Sequence, residues 1–427
     1  MLVQFTVGNY RSFREKVTLS LVASSDKHLA ANTFPVSAPG GPCLLKSAAL
    51  YGANASGKSN LIRAMLFMRG FVLASASKSG PGEKIRVDPF RLDPETANEP
   101  SFFEMVFVTG GKRYVYGFEA DSASVHSEWL TVAESAKPKT LFRRTSSESA
   151  GFGTSWSGER KRLVARTRPN ALLLSVAAQF NNPIATLVYN WFETGIRGVS
   201  GPLEAGGEEA YTAQRFAEDE SFRRPTVNLV RVAAPAIEQL EVQQRPLKEG
   251  EGWRLLRSRL SDEFLESLPD DLTEYEVSTR HRSVEGELVK FDMARDESAG
   301  TQRLFALAGP WDYLLREDCV LLVDEIEASL HPLLTRYLIE NLHANEGPHQ
   351  LVFATHDCGL LDPDLFRRDQ IWFTEAKPSV ATDVYSLADY QGVRATEDFR
   401  NRYLAGRYGA IPYIGEFRFG EEDQKER

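Results

Sequence analysis

Residues 51–60 read Tyr51-Gly52-Ala53-Asn54-Ala55-Ser56-Gly57-Lys58-Ser59-Asn60 and contain a complete G-x-x-x-x-G-K-S phosphate-loop motif. The apolar run 48–51 that leads into the motif predicts a buried strand. The segment after the motif predicts a helix, because apolar side chains recur there at helical spacing, at Leu61, Met65, Met68 and Val72. A strand, a glycine-rich loop and a helix in this order form the setting in which the motif binds phosphate.

The glycine and polar positions of the motif predict a site for a nucleoside triphosphate. Gly52 and Gly57 allow the backbone to turn so that successive N–H groups face a phosphate, and the helix N-terminus adds its positive end. Lys58 is expected to reach the β- and γ-phosphates, and Ser59 to offer its hydroxyl to Mg²⁺. ATP and Mg²⁺ are therefore the predicted ligands. The predicted nucleotide-binding residues of the loop are Gly52, Asn54, Ser56, Gly57, Lys58, Ser59 and Asn60.

A second apolar run, Val320-Leu321-Leu322-Val323, leads directly into the acidic pair Asp324-Glu325. Such runs are typical of parallel strands buried on both faces, and the ligands of open α/β sheets lie at the carboxyl ends of these strands. Asp324 is therefore expected to hold the Mg²⁺ shell, as a Walker-B aspartate does. Glu325 is expected to act as the catalytic base that polarises the attacking water.

Further motifs distinguish among the classes of ATPase. Most of the chain separates the phosphate loop from the acidic pair, which is typical of ABC-type heads, where a second lobe interrupts the sequence. Glu297-Ser298-Ala299-Gly300-Thr301-Gln302 precedes the acidic strand and resembles a degenerate ABC signature. Ala328-Ser329-Leu330-His331-Pro332 follows the acidic pair and resembles a D-loop, with Ser329 at its centre. A third apolar run, 351–354, leads to His356, at the place where ABC ATPases keep a catalytic switch histidine.

Two segments resemble the same group of ATPase heads. The phosphate loop, Gly52-x-Asn54-x-Ser56-Gly57-Lys58-Ser59-Asn60, resembles that of the SMC, Rad50 and RecF heads more than that of ABC transporters. The N-terminal segment Gly8-Asn9-Tyr10-Arg11-Ser12-Phe13 is similar to the opening N-F-R-S-F of the same heads. The resemblance implies that Arg11 and Ser12 belong to the nucleotide site and that Arg11 contacts the γ-phosphate.

Within that group, the chain resembles the bacterial abortive-infection and phage-defence ATPases of the AbiL and RloA type, with the OLD-like AAA ATPases. The similarity extends over residues 1–415, and the segments that carry it are 297–305, 324–332, 370–373 and 403–412. It implies a homodimer, or a higher assembly of dimers, in which the signature of one subunit completes the site of another. The residues that would act in trans are Ser298, Ala299, Gly300 and Thr301. The signature departs from L-S-G-G-Q at Glu297, Ala299 and Thr301.

The predicted fold class is α/β, an ABC-type P-loop ATPase head with two lobes, a mixed sheet around the phosphate-loop helix and a helical insertion. Residues 1–160 are expected to form the N-lobe, 161–275 a helical region with the insertion, 276–415 the C-lobe, and 416–427 a flexible tail. No heptad pattern persists in 200–275, so a long coiled-coil arm is not expected there.

The overall composition is that of an ordinary globular protein, and three scattered cysteines without a C-x-x-C pair predict a cytoplasmic one. No apolar run is long enough to span a membrane, and the first residues predict a strand instead of a signal peptide. The three cysteines are scattered, which fits a reducing compartment and excludes a zinc hook. The formal charge of −9 argues against a chain that coats DNA through bulk electrostatics.

Positive charge is concentrated in one stretch, the basic segment 137–168. A solvated edge, and a surface for nucleic acid or an acidic partner, both remain open for it. Interleaved aromatic residues would suit stacking on bases, although their spacing shows no pattern that requires it. The basic residues are Lys137, Lys139, Arg143, Arg144, Arg160, Lys161, Arg162, Arg166 and Arg168, and the aromatic ones are Phe142, Phe152 and Trp156.

Three functions are compatible with these motifs. The abortive-infection resemblance implies a nucleotide-dependent sensor or switch that controls a separate effector, expected to be a nuclease, with nucleic acid or a phage component as the trigger. The similarity to RecF implies instead a DNA-binding ATPase in repair or maintenance. An intrinsic Toprim nuclease is disfavoured, because only residues 357–427 follow His356 and their one D-x-D lies at 362–364.

Overall fold

The computed structural model describes residues 1–38, 40–134, 137–146, 149–199, 207–250, 253, 257–258, 272–377 and 380–412. The predicted tail 416–427 and part of the predicted insertion therefore lie outside the described residues. Within the described ranges, every helix is too short or too polar to cross a lipid bilayer.

The strands and helices of these ranges are numbered in chain order. The strands are β1 (Leu2–Gly8), β2 (Val17–Ser20), β3 (Thr33–Pro35), β4 (Cys43–Leu45), β5 (Ser47–Tyr51), β6 (Ser101–Thr109), β7 (Lys112–Ala120), β8 (Val125–Ala133), β9 (Lys139–Arg144), β10 (Ala150–Phe152), β11 (Ile196–Val199), β12 (Ile237–Pro246), β13 (Thr273–Arg282), β14 (Leu288–Asp292), β15 (Val320–Val323), β16 (Gln350–Ala354), β17 (Ile371–Ala376) and β18 (Thr382–Ser386). The helices are α1 (Lys58–Ala74), α2 (Arg160–Arg166), α3 (Leu173–Gln179), α4 (Pro183–Thr194), α5 (Gly207–Glu218), α6 (Glu220–Ala233), α7 (Ala299–Arg316), α8 (Pro332–Ala344) and α9 (Phe399–Leu404). Short 3₁₀ turns lie at Ala30–Asn32, Thr96–Asn98, Leu247–Glu249, Cys358–Leu360, Arg368–Gln370 and Leu387–Asp389.

The first layer is a seven-stranded antiparallel sheet with the order β10-β9-β8-β7-β6-β1-β2. Strands β1 and β2 pair as an antiparallel hairpin near the N-terminus. Strands β6 and β7 form a second hairpin, with Thr109 opposite Lys112. Gly110 and Gly111 join these two strands with positive φ angles of 55° and 69°, which glycine adopts without a steric penalty.

The second layer is a six-stranded sheet with the order β11-β15-β16-β5-β17-β18. All neighbours are parallel except β17 and β18. The strands β5, β15 and β16 are buried throughout, as their continuous apolar runs predict. Strand β16 lies between β15 and β5 and is parallel to both, so the carboxyl ends of all three strands lie along one edge of the sheet.

Helix α1 lies between the two sheets and joins them into one core. Its predicted apolar stripe is confirmed, since Leu61, Met65, Met68 and Val72 are all fully buried. Side chains of β5 alternate between this core and a second one on the opposite face of the parallel sheet, which α7 and α8 cover. Two sheets enclosing the phosphate-loop helix confirm the predicted two-lobed α/β architecture. The strand that carries the phosphate loop belongs to the second sheet, so the linear division at residue 160 does not follow the sheets.

The insertion contains helices, as predicted, and also a strand that was not predicted. Helices α5 and α6 pack on α7, and β12 pairs with β13 in a three-stranded sheet, β12-β13-β14. The expectation of a helical region at 161–275 is therefore wrong for β12, and also for β11, which is an edge strand of the second sheet. The pairing partner of β12, strand β13, begins at Thr273, and the local sequence pattern does not predict pairing between strands so far apart in the chain.

Candidate functional site

The phosphate loop leaves β5 after Tyr51 and enters α1 at Lys58. Gly57 has a φ of 110°, and a Cβ atom built on it would lie 2.6 Å from Oγ1 of Thr382. At Gly52, a Cβ atom would lie 2.3 Å from the carbonyl oxygen of Thr374. Only glycine fits at these two positions, so the loop holds the tight turn that the motif predicts. Asn54 lies exposed at the tip of the loop.

Lys58 is buried and folds over its own loop. Its Nζ donates hydrogen bonds to the carbonyl oxygens of Gly52 (2.8 Å) and Ala53 (3.0 Å). Burial lowers the pKa of Lys58 to about 8, and the nearby carboxylates, chiefly Asp324, only partly oppose that shift. The ammonium group is thus held at the loop that would surround a phosphate.

Ser59 and Asp324 meet across the sheet edge, as the sequence predicts for a shared metal site. The Ser59 hydroxyl donates to Oδ1 of Asp324 at 2.9 Å. A hydroxyl and a carboxylate side by side are hard oxygen donors of the kind Mg²⁺ prefers when it is bound together with phosphates. The chemistry of this pair therefore fits the predicted Mg²⁺ site.

The backbone after β15 is strained at Glu325. This residue has a φ of 51°, which is uncommon for a residue other than glycine, and Ser329 in the D-loop has a φ of 63°. A turn closed by the Ala328 N–H and the Glu325 carbonyl (2.9 Å) holds this conformation. Backbone strain of this kind is concentrated at functional sites, where the surrounding structure maintains it.

His356 follows β16 and lies in the electrostatic field of the same site. Its side chain is in contact with solvent, while its backbone N–H donates to Oε1 of Glu327 at 2.5 Å. Partial desolvation lowers the pKa of His356, Lys58 lowers it further, and the carboxylates of Glu327, Glu325 and Asp324 oppose the shift. The Glu327 contact therefore joins the backbone at His356 to the loop that begins with the acidic pair.

The N-terminal segment also reaches the phosphate loop. The amide of Asn60 donates to the Ser12 hydroxyl at 2.9 Å, and the Thr382 N–H donates to the Ser12 carbonyl at 2.8 Å. Arg11 forms an ion pair with Asp88 at 3.0 Å, while its Nε is buried and has no hydrogen-bond partner in the described ranges. Ser12 and Asn60 are thus brought to the loop, and the contact of Arg11 with a γ-phosphate stays a prediction.

Two threonines support the phosphate loop and were not identified from the sequence. The Ser56 hydroxyl hydrogen-bonds Oγ1 of Thr374 at 2.6 Å, and Oγ1 of Thr382 donates to the Ser56 carbonyl at 2.9 Å. Thr374 and Thr382 lie on β17 and β18, far along the chain from the loop. A single threonine within a strand carries no sequence signal of such a role.

The signature residues lie at the start of α7. The Ser298 hydroxyl accepts from the Thr301 N–H at 3.2 Å and so caps the helix, and Ala299 opens its first turn. Ser298 and Ala299 are exposed, whereas Thr301 is buried against Ser298. A Cβ atom on Gly300 would lie 2.9 Å from the Ser329 carbonyl, so the signature touches the D-loop of its own chain.

Two arginines of the basic segment 137–168 form contacts within the folded chain. Arg144 is buried beside Glu128 and donates to the Ala171 carbonyl at 2.7 Å. Arg168 donates to the carbonyls of Ser75 and Ser79. Phe142 and Trp156 are not available for stacking on bases, because both rings are buried in the core.

One family model matches the chain, and several solved structures are similar to it. The family model described as "AAA domain, putative AbiEii toxin, Type IV TA system" matches residues 47–362, from β5 to beyond His356. No curated protein matches the chain. Solved structures similar to it include an SMC head bound to the C-terminal winged-helix domain of ScpA, with a TM-score of 0.47, 12% identity, and coverage of 90% of this chain and 97% of that chain. The SMC head domain from Thermotoga maritima has a TM-score of 0.39, 11% identity, and coverage of 90% and 98%.

Proposed function

The chain belongs to the family of AAA domains associated with AbiEii toxins and type IV toxin–antitoxin systems, and from that premise we propose that it is a cytoplasmic ATPase that acts as a nucleotide-dependent switch in bacterial phage defence. In this proposal it controls a separate effector, a nuclease. The observation that carries the ATPase part is the hydrogen bond between Ser59 and Asp324 (2.9 Å), which joins the phosphate loop to the acidic pair.

Each residue of the site has a task in ATP hydrolysis. The backbone N–H groups of the phosphate loop and the ammonium of Lys58 bind the phosphates. Ser59 and Asp324 would hold Mg²⁺, which when bound neutralises charge on the phosphate oxygens. Glu325 orients and polarises the attacking water, and His356 lies beside the same phosphate site.

The ATPase proposal is tested by the Glu325→Gln substitution. The variant should bind ATP with unchanged affinity and hydrolyse it at least about a hundredfold more slowly, because a general base has been removed. ATP affinity is measured by calorimetry, and turnover by phosphate release. The matched control is Glu317→Gln, which changes an exposed glutamate that precedes β15 at the opposite end of the strand. Turnover near the wild-type rate in Glu325→Gln would refute the assignment of this base.

The switch proposal needs a surface on which an effector can read the nucleotide state. A groove between α6 and β12 in the insertion is a candidate for this surface, because both apolar and basic side chains line it. They include Val227, Val242, Arg224 and Arg231. Helix α6 packs on α7, which begins at the signature. The insertion is thus one helix away from the residues that would sense a second nucleotide site.

The two-component arrangement is tested in cells. Expression of this protein alone should give little protection against phage and little toxicity, whereas co-expression with the product of a neighbouring gene should give both. The Glu325→Gln variant provides the matched control, because it retains the fold and lacks hydrolysis. Protection by this chain alone, abolished by Glu325→Gln, would contradict the two-component proposal.

A DNA-binding ATPase in repair or maintenance is the second candidate function. It is favoured by a groove along α2 that is lined by Arg160 and Lys161. Purified protein that binds DNA tightly, with affinity that falls steeply as salt rises, would support this candidate. Lys161→Glu should then weaken DNA binding, and Lys377→Glu, at a lysine outside this groove, should not.

A further inference from the structure

Glu327 connects the two loops that carry the predicted catalytic residues. It lies in the loop after β15, and its Oε1 accepts the backbone N–H of His356 at 2.5 Å, in the loop after β16. Beside it, the Ile326 N–H donates to the carbonyl of Ala354, the last residue of β16, at 3.2 Å, so the loop after β15 is joined both to the end of β16 and to the loop that follows it. The position of His356 therefore depends on a side chain to which the motifs assign no role.

The second oxygen of the same carboxylate is enclosed, and the described part of the chain offers it no hydrogen-bond partner. A buried acceptor without a partner is unfavourable and uncommon in proteins, so its presence requires an explanation. Glu327 also has the largest effect among the carboxylates that raise the pKa of His356. The carboxylate thus anchors the histidine loop and is one of the acids that raise the pKa of His356.

We propose that Glu327 is a positioning residue that acts through His356, because it anchors the histidine loop to the acidic loop and so places the imidazole at the nucleotide site. This inference rests on the proposed ATPase function. Glu325 acts on water, whereas Glu327 acts on the backbone that presents His356. The two acids therefore have separable roles although only one residue lies between them.

The first test compares two substitutions at this position. Glu327→Ala removes the acceptor and should lower kcat by about tenfold to a hundredfold, the range for loss of a hydrogen bond to a charged group, without weakening ATP binding. Glu327→Gln keeps a neutral oxygen acceptor for the His356 N–H and should lower kcat by only about threefold to tenfold, because neutral hydrogen bonds are roughly half as strong as charged ones. Glu317→Ala is the matched control, and thermal unfolding of each variant reports on the fold.

The second test places Glu327→Ala in a His356→Ala background. If Glu327 acts through the imidazole, the double variant should be no slower than His356→Ala alone, whereas independent sites give additive losses. Additive losses, or a Glu327→Gln variant as defective as Glu327→Ala, would overturn the positioning role. A wild-type protein without turnover would refute the ATPase proposal itself, which is a different result.

Discussion

At the phosphate loop, the ammonium group of Lys58 donates to two carbonyls of its own loop, those of Gly52 and Ala53. When a triphosphate is bound, its charged oxygens accept hydrogen bonds from the same ammonium group more strongly than these carbonyls do. The ammonium must carry its proton for that exchange, and burial holds its pKa at about 8 in the protein without nucleotide. Nucleotide binding is therefore coupled to the protonation of one side chain.

The affinity for ATP should fall as the pH rises through 8. A lysine whose pKa is lowered by burial loses its charge above that pKa, so each unit of pH above 8 should weaken binding by up to about tenfold. Titration calorimetry between pH 7 and pH 9 measures this change. Lys58→Ala should bind ATP weakly at every pH, without that dependence. An affinity in the wild-type protein that is constant over this range would contradict the prediction.

Among elements, the phosphate loop depends on strands that follow it much later in the chain. Strand β17 supplies Thr374 to the Ser56 hydroxyl, and β18 supplies Thr382 to the Ser56 carbonyl. The same β18 hydrogen-bonds Ser12 of the N-terminal segment, which in turn accepts from Asn60. The loop is therefore clamped between its own helix and a hairpin from the end of the sheet.

The substitution Thr382→Val tests this clamp. Valine has nearly the shape of threonine but leaves the buried Ser56 carbonyl without its donor, which costs about 1–3 kcal/mol. ATP affinity should fall by about tenfold, and the midpoint of thermal unfolding should fall as well. Thr382→Ser keeps the hydroxyl and is the matched control. Equal effects of the two substitutions would show that volume, and not the hydrogen bond, is what matters at this position.

For the whole molecule, the exposed signature at the start of α7 suits a two-fold assembly. Ser298 and Ala299 are exposed, and Gly300 rests on the D-loop at Ser329. A two-fold arrangement would present this surface to the phosphate loop of a second subunit and create two equal sites. In our proposal the signature acts in trans, and hydrolysis requires a dimer or an assembly of dimers.

Mixing two inactive variants tests the trans arrangement. Lys58→Ala removes the ammonium group that binds phosphate, and Ser298→Arg places a bulky side chain on the signature. A mixed dimer contains one site with both defects and one intact site, so mixing should restore turnover to at most one site in each dimer. The absence of any recovery, or full activity of a strictly monomeric Ser298→Arg protein, would contradict a contact between subunits.

A control for this experiment follows from the capping role of Ser298. Its hydroxyl caps α7 through the Thr301 N–H, so Ser298→Arg also removes a cap that contributes about 1 kcal/mol to stability. Ser298→Ala removes the cap without adding a bulky side chain. A larger loss of turnover in Ser298→Arg than in Ser298→Ala isolates the steric block from the loss of the cap.

The sequence by itself determined the strands β5, β15 and β16, the helix α1 and the residues that follow each of these strands. Local information suffices for them, because a continuous apolar run, a helical period and a glycine-rich loop each restrict the backbone over a few residues. It also predicted that Lys58, Ser59, Asp324 and His356 would meet, since the carboxyl ends of parallel strands lie at one edge.

Tertiary structure alone decided the contacts between residues far apart in the chain. Thr382 supports Ser56, Glu327 anchors His356, and β12 pairs with β13. Arg144, one of a run of basic residues, became a buried partner of Glu128. Whether a threonine, a glutamate or an arginine faces solvent or a partner depends on packing, and packing is set by the whole chain and not by the local pattern of residues.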